Sequence, residues 1–200
     1  TVDTWLGDHR PTFNRPALPM MSMVDLLAGA ATAASGLPVT RMQNVRVHRW
    51  VDFDGPRTLS TTVDGLKVSL IDDADGGVVA SAIVHTGEAL IPPEPEPPLY
   101  GKRRELPYAT GELFHGPAFQ LMSRWTLGGD GASATLLPAS SGVPRGALNP
   151  GLLDAATHCI PHDGLQRWDP ALSADKVAYP ALITDLTLHG PAPTAGEVRC

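Results

Sequence analysis

Residues 91–110 read IPPEPEPPLYGKRRELPYAT, and five of the seven residues from Pro92 to Pro98 are proline. Proline fixes its own φ and lacks a backbone donor, so the run favours extended polyproline geometry and forms no core. It reads as an inter-domain linker. The chain on either side shows the same order of elements, and this repetition decides the fold. The sequence predicts one unit over residues 1–91, a proline-rich linker over 92–110 and a second unit over 111–200.

In the first unit, residues 20–34 (MMSMVDLLAGAATAA) are helix formers throughout, with Gly36 just past the end. The segment is apolar nearly all round, which predicts a buried helix. Residues 41–53, 56–65 and 66–90 follow as strand-like segments, with a hairpin turn over residues 72–77. Beyond the linker, residues 112–129 and 131–139 read as strands. Residues 148–165 read as a helix, with Asn149 as N-cap and Pro150 at the first position. Residues 178–190 and 197–200 are strand-like again. A helix against antiparallel strands, twice, is an α+β pattern.

Composition narrows the function classes. The chain has 200 residues, of which 42% are hydrophobic, enough for a real core. Its net charge is −6 and no block of Lys or Arg occurs, so nucleic acid is not an expected partner. No apolar run is long enough to span a membrane, and no leader-like segment opens the chain. The two cysteines, Cys159 and Cys200, give no disulfide framework and fit a reducing, cytoplasmic compartment.

Three stretches carry groups suited to chemistry. In residues 148–159, LNPGLLDAATHC, Asp154 and His158 are four apart and share a helical face among apolar neighbours. Burial would raise the pKa of such a carboxyl and make it a proton donor, whereas an exposed Asp–His pair would do little. In residues 113–120, LFHGPAFQ, His115 and Gly116 precede a proline in a sharp turn, which suits either a close backbone approach or a plain strand end. In residues 6–19, LGDHRPTFNRPALP, His9 stands ahead of Pro11, Pro16 and Pro19, a stiff loop able to aim a ring. A metal site from His158 and His162, completed by His115 or His9, is disfavoured because Pro161 interrupts the helix between the pair. No zinc-type H-E-x-x-H, P-loop, G-x-S-x-G or G-x-G-x-x-G signature occurs.

Together these stretches resemble the dehydratase domains of polyketide and polyunsaturated fatty acid synthases. LGDHRPTFNRPALP is similar to the family's H-x-x-x-G-x-x-x-x-P motif and LFHGPAFQ to its G-Y-G-P-x-F motif. LNPGLLDAATHC is similar to H-P-x-L-L-D-x-x-x-Q/H, and AYPALITDLTLHGP to the late aromatic-Pro strand. The resemblance implies a double hotdog fold, two helix-wrapped antiparallel sheets, shorter at both ends here than the family's domain. It implies His9 as catalytic base, Asp154 as catalytic acid and His158 as the group that holds Asp154. Pro19 matches the motif proline. His9 to Pro19 is one residue longer than the motif, so its carbonyl-binding glycine falls at Phe13 or Asn14, whose backbone N–H would meet the thioester. His115, where the family has Tyr, and Gly116 would complete the substrate-binding set.

The implied reaction removes water from a 3-hydroxyacyl thioester and leaves a 2-enoyl thioester. No metal and no cofactor enters beyond the phosphopantetheine arm of an acyl carrier protein, which brings the substrate. That carrier and the other domains of a synthase are the implied partners, and a homodimer is compatible with the family. Dehydratase-like product template cyclases, double-bond isomerases and a non-catalytic hotdog scaffold use the same frame and remain alternatives.

Overall fold

The computed structural model describes residues 4–11, 15–97, 99–162, 164–173 and 179–200. Helix α1, Met20–Ser35, is the first organising element. Its start is set by Pro19, whose extended backbone lets its carbonyl accept from Ser22 and Met23. Its end is set by Gly36, left-handed at φ 71°, whose N–H bonds the Thr32 carbonyl. Met23, Val24, Leu27 and Ala28 are fully buried, but the last turn is exposed.

Strands β1 (Val39–Val47), β2 (Leu59–Asp64), β3 (Lys67–Asp72) and β4 (Gly77–Thr86) wrap around α1. Val45, Val68, Leu70, Val79 and Ala80 form their inner wall. The β3–β4 hairpin turns where the sequence predicts. Asp72 sits there fully buried, accepts from the Ala74 N–H at 3.1 Å, and pairs with Arg57 at 2.8 Å and Arg49 at 3.2 Å.

The second unit repeats the plan. Strand β5 is Lys102–Arg104, and the short helix α2 is Pro107–Thr110. Strands β6 (Met122–Leu127) and β7 (Ala132–Leu136) follow, and helix α3 is Pro150–Thr157. Asn149 caps α3 by accepting from the Leu152 N–H at 3.1 Å. Leu121, Trp125, Leu136, Leu152 and Ala155 form a separate core. Strands β8 (Leu182–Thr187) and β9 (Val198–Arg199) complete two antiparallel sheets, ordered β2-β3-β4-β1-β8 and β5-β6-β7-β9.

Four differences from the sequence reading have physical causes. Residues 92–110 are not all linker, because β5 pairs with β6 once the proline run has passed. Strand β8 lies in the first sheet, against β1, although it follows α3 in the chain. Residues 113–116 are not a strand: the chain turns there into a 3-10 turn at Pro117–Phe119. Helix α3 stops at Thr157, ahead of Pro161, so its Asp and His meet only at the helix end. No described helix is long and apolar enough to cross a membrane.

Candidate active site

The N-terminal loop is fastened before it delivers its histidine. Leu18 N–H bonds the Val51 carbonyl at 2.8 Å and Phe53 N–H bonds the Pro16 carbonyl at 2.8 Å. Residues 16–18 thus run beside residues 51–53 like a strand. His9 is tied to that rail twice. Its carbonyl accepts from the Ala17 N–H at 3.0 Å, and its ring Nδ1 lies 2.8 Å from the Ala17 carbonyl. A carbonyl only accepts, so Nδ1 carries the proton and Nε2 keeps a free lone pair. The ring is 6% exposed, and burial pulls its pKa below the ordinary 6.5, against the opposing pull of Asp154 and the Ala17 bond. His9 is therefore a neutral imidazole with an open basic nitrogen.

Asp8 clamps this loop to the other unit. Its backbone carbonyl accepts from the Gly116 N–H at 2.7 Å, and its carboxylate accepts from the Ala118 N–H at 2.9 Å. A Cβ on Gly116 would collide with that carboxylate, so only glycine fits the approach. The turn carries His115, 8% exposed, stacked on Phe114 with ring centres 4.1 Å apart. Its Nε2 lies 3.4 Å from Asp154 Oδ2, and its buried Nδ1 has no partner among the described residues. Burial, then His158, lowers the His115 pKa to about 3, so this ring is also neutral at pH 7.

Helix α3 supplies the carboxylate. Asp154 Oδ2 lies 3.1 Å from His158 Nε2, one turn on, and His158 Nδ1 lies 2.8 Å from the Tyr108 hydroxyl. Burial raises the Tyr108 pKa, so the phenol keeps its proton and donates it to Nδ1. Nε2 then carries the imidazole proton and donates it to Asp154. A second bond, from Trp125 Nε1 to the Cys159 carbonyl at 2.9 Å, fixes the chain just past His158. The expectation that burial keeps Asp154 protonated is corrected. Burial opposes its charge, but the hydrogen bond from His158 leads the effects that outweigh it and hold the carboxyl below its ordinary value.

His9, His115 and Asp154 face one cavity of about 280 Å³, whose wall also includes Leu18, Met23 and Trp50. Pro19 and Gly116 are not in that wall: the first caps α1 and the second packs on Asp8. Phe13 and Asn14 lie outside the described residues. The His158–His162 metal pair does not form, because both ring nitrogens of His158 are engaged and His162 Nε2 bonds the Thr157 carbonyl at 3.1 Å. Sequence reading missed Tyr108, hidden in the presumed linker. It also missed the bracing role of Asp8, for which the adjacent His9 was the available signal.

No family model and no curated protein matches the chain. Solved structures do. A GphF dehydratase variant superposes with a TM-score of 0.74 at 15% identity, over 98% of this chain and 74% of that one. The dehydratase domain from the CurF module of curacin polyketide synthase gives 0.71 at 15%, over 98% and 76%. The chain has the fold of polyketide synthase dehydratase domains. The dehydratase domain of PpsC from Mycobacterium tuberculosis, solved with C12:1-CoA, gives 0.64 at 21%, over 78% and 62%. The double hotdog explains why β8 crosses back: it widens the first sheet beside β1 while α1 packs against α3.

Proposed function

We propose that the chain is a dehydratase domain of a polyketide-type synthase, acting on a 3-hydroxyacyl thioester. One observation carries this reading. A histidine with an open basic nitrogen and a buried carboxylate, from opposite halves of the chain, face each other across a mainly apolar cavity.

His9 Nε2 takes the proton from the carbon next to the thioester carbonyl. The electron pair left behind forms the new double bond, and the carbon–oxygen bond at C3 breaks. Asp154 gives its proton to the departing hydroxyl, which leaves as water. His158 holds Asp154 as a carboxylate, so its acid form is loaded as substrate binds. An acyl chain that fills the cavity displaces water and pushes the carboxyl up. His158 keeps Oδ2 and leaves Oδ1 to carry the proton. After turnover, solvent returns the proton from His9 to Asp154. General acid and base steps of this kind each supply about 10²–10⁴ in rate.

The substrate would arrive on the phosphopantetheine arm of an acyl carrier protein, with neighbouring synthase domains supplying it. The test is a 3-hydroxyacyl thioester incubated with the chain, His9→Ala and Asp154→Asn, and read by mass. Loss of water with wild type alone supports the proposal. A product of unchanged mass, or equal water loss in all three, overturns it.

A further inference from the structure

The geometry points to a second use of the same cavity: His9, His115 and Asp154 form a three-ligand site for a divalent transition metal such as Zn²⁺, which occludes the base. It rests on the proposed dehydration only for its kinetic arm.

The donor atoms of the three residues all lie within 4.8 Å of one another. Two imidazoles and one carboxylate form a donor set that zinc accepts, with a fourth position left for water. Metal–ligand bonds of about 2.0–2.2 Å put tetrahedral ligands roughly 3.3 Å apart. The His115 Nε2 to Asp154 Oδ2 separation is 3.4 Å, which is long for a hydrogen bond and already matches that edge. The other two separations are at most 4.8 Å, so the side chains draw together by up to about 1.5 Å to hold the ion.

Two of the three ligands have the outer contacts of a metal site. A ligating imidazole normally donates its other nitrogen to a carbonyl, as His9 does to Ala17 at 2.8 Å. A ligating carboxylate is itself held, as Asp154 is by His158 at 3.1 Å and through it by Tyr108. His115 would ligate through Nε2, and its other nitrogen, the buried Nδ1, has no partner among the described residues. Dehydration as described gives that ring no task, and metal ligation does. Histidine rather than tyrosine at this position supplies the third ligand.

Bound Zn²⁺ takes the His9 Nε2 lone pair that dehydration needs, so metal and turnover exclude each other. Co²⁺ reports the site by its visible absorption, independently of activity. The full chain is titrated with Co²⁺, and Zn²⁺ content is measured after equilibrium dialysis. One Co²⁺ per chain with a four-coordinate spectrum is expected, displaced by Zn²⁺. Outer-shell losses cost about 10–100-fold in metal affinity, so losing the ligand itself in His115→Phe should weaken binding at least tenfold. Cys200→Ser, which removes one of the two neighbouring thiols, should bind as wild type does. Unchanged affinity in His115→Phe, thiolate-type absorption lost in Cys200→Ser, or no stoichiometric binding overturns the proposal. In the kinetic arm, Zn²⁺ should inhibit turnover of the wild-type chain and a chelator restore it. Binding without inhibition would count against the exclusion and leave the Co²⁺ spectrum to judge the site. A chain with no turnover at all fails the dehydratase reading, and the spectrum still decides the metal.

Discussion

The two central helices each bury one aspartate, and the two are treated in opposite ways. Asp25 on α1 accepts the Leu148 N–H at 2.6 Å, and the backbone of Gly146 and Ala147 also faces it. Burial raises its pKa, and these N–H groups recover only part of the loss. Asp154 on α3 is met by imidazoles instead, and its pKa falls although it is also buried. Backbone donors are fixed and cannot give or take a proton at neutral pH. Imidazoles can, and they leave one side of Asp154 open to a cavity. Asp25 therefore fastens the loop that leads into Asn149, the cap of α3, while Asp154 is placed for chemistry. Helix burial of a carboxylate says nothing about its role until its partners are known.

The sharpest break of this comparison is the same substitution in both helices. Asp154→Asn keeps the shape but cannot supply the acid proton, so turnover should fall by about 10²–10⁴. Asp25→Asn keeps an oxygen for Leu148 and should leave turnover within a few-fold. Steady-state rates on one thioester decide it. Comparable losses in both would mean that Asp25 shares the chemistry.

Removing the Asp25 oxygens altogether reads the structural side. In Asp25→Ala the Leu148 N–H loses its acceptor, which costs about 1–3 kcal/mol. Urea unfolding should show that loss with little change in slope. A stability equal to wild type would show that the Gly146–Leu148 loop does not depend on α1.

Acid pH separates the two environments further. His115 has a folded pKa of about 3 against an ordinary 6.5, and His9 is also lowered. Between those values the unfolded chain binds protons that the folded chain refuses. Stability should therefore be full above pH 6.5 and fall as pH drops from 6.5 toward 3. One such histidine contributes a slope of about 1.4 kcal/mol per pH unit within that window. His115→Phe should flatten the curve by about one proton, measured by urea midpoints at several pH values. An unchanged slope would mean that His115 is not desolvated as the packing shows.

Local chemistry was legible in the sequence and long-range pairing was not. The α1 span, the Asn149 cap and the hairpin over residues 72–77 depend on neighbouring residues, and each is where the pattern puts it. Strand β8 depends on a partner more than a hundred residues away in β1, so its sequence declares a strand but not a sheet. The proline run reads as a linker through Thr110. Beyond the run the chain forms β5, where edge pairing with β6 takes over. The positions of His9, Asp154 and His158 came from motif order, since nothing local relates residues 9 and 154. The downward shift of the Asp154 pKa was illegible because it depends on how the His158 ring meets one buried oxygen.

Tyr108 tests the finest point, whether the imidazoles around Asp154 need their own support. Its hydroxyl donates to His158 Nδ1 at 2.8 Å and so selects the tautomer that donates to Asp154. In Tyr108→Phe the ring packing stays and one hydrogen bond goes, worth about 0.5–1.5 kcal/mol, so turnover should fall up to roughly tenfold. The loss should appear in kcat rather than KM, because Tyr108 does not line the cavity. The pH dependence of kcat should also shift, since His158 is then free to turn its proton away from Asp154. A change in KM alone would assign Tyr108 to packing. Then α3 would hold its carboxylate with His158 unaided, and the contrast with Asp25 would narrow to two residues.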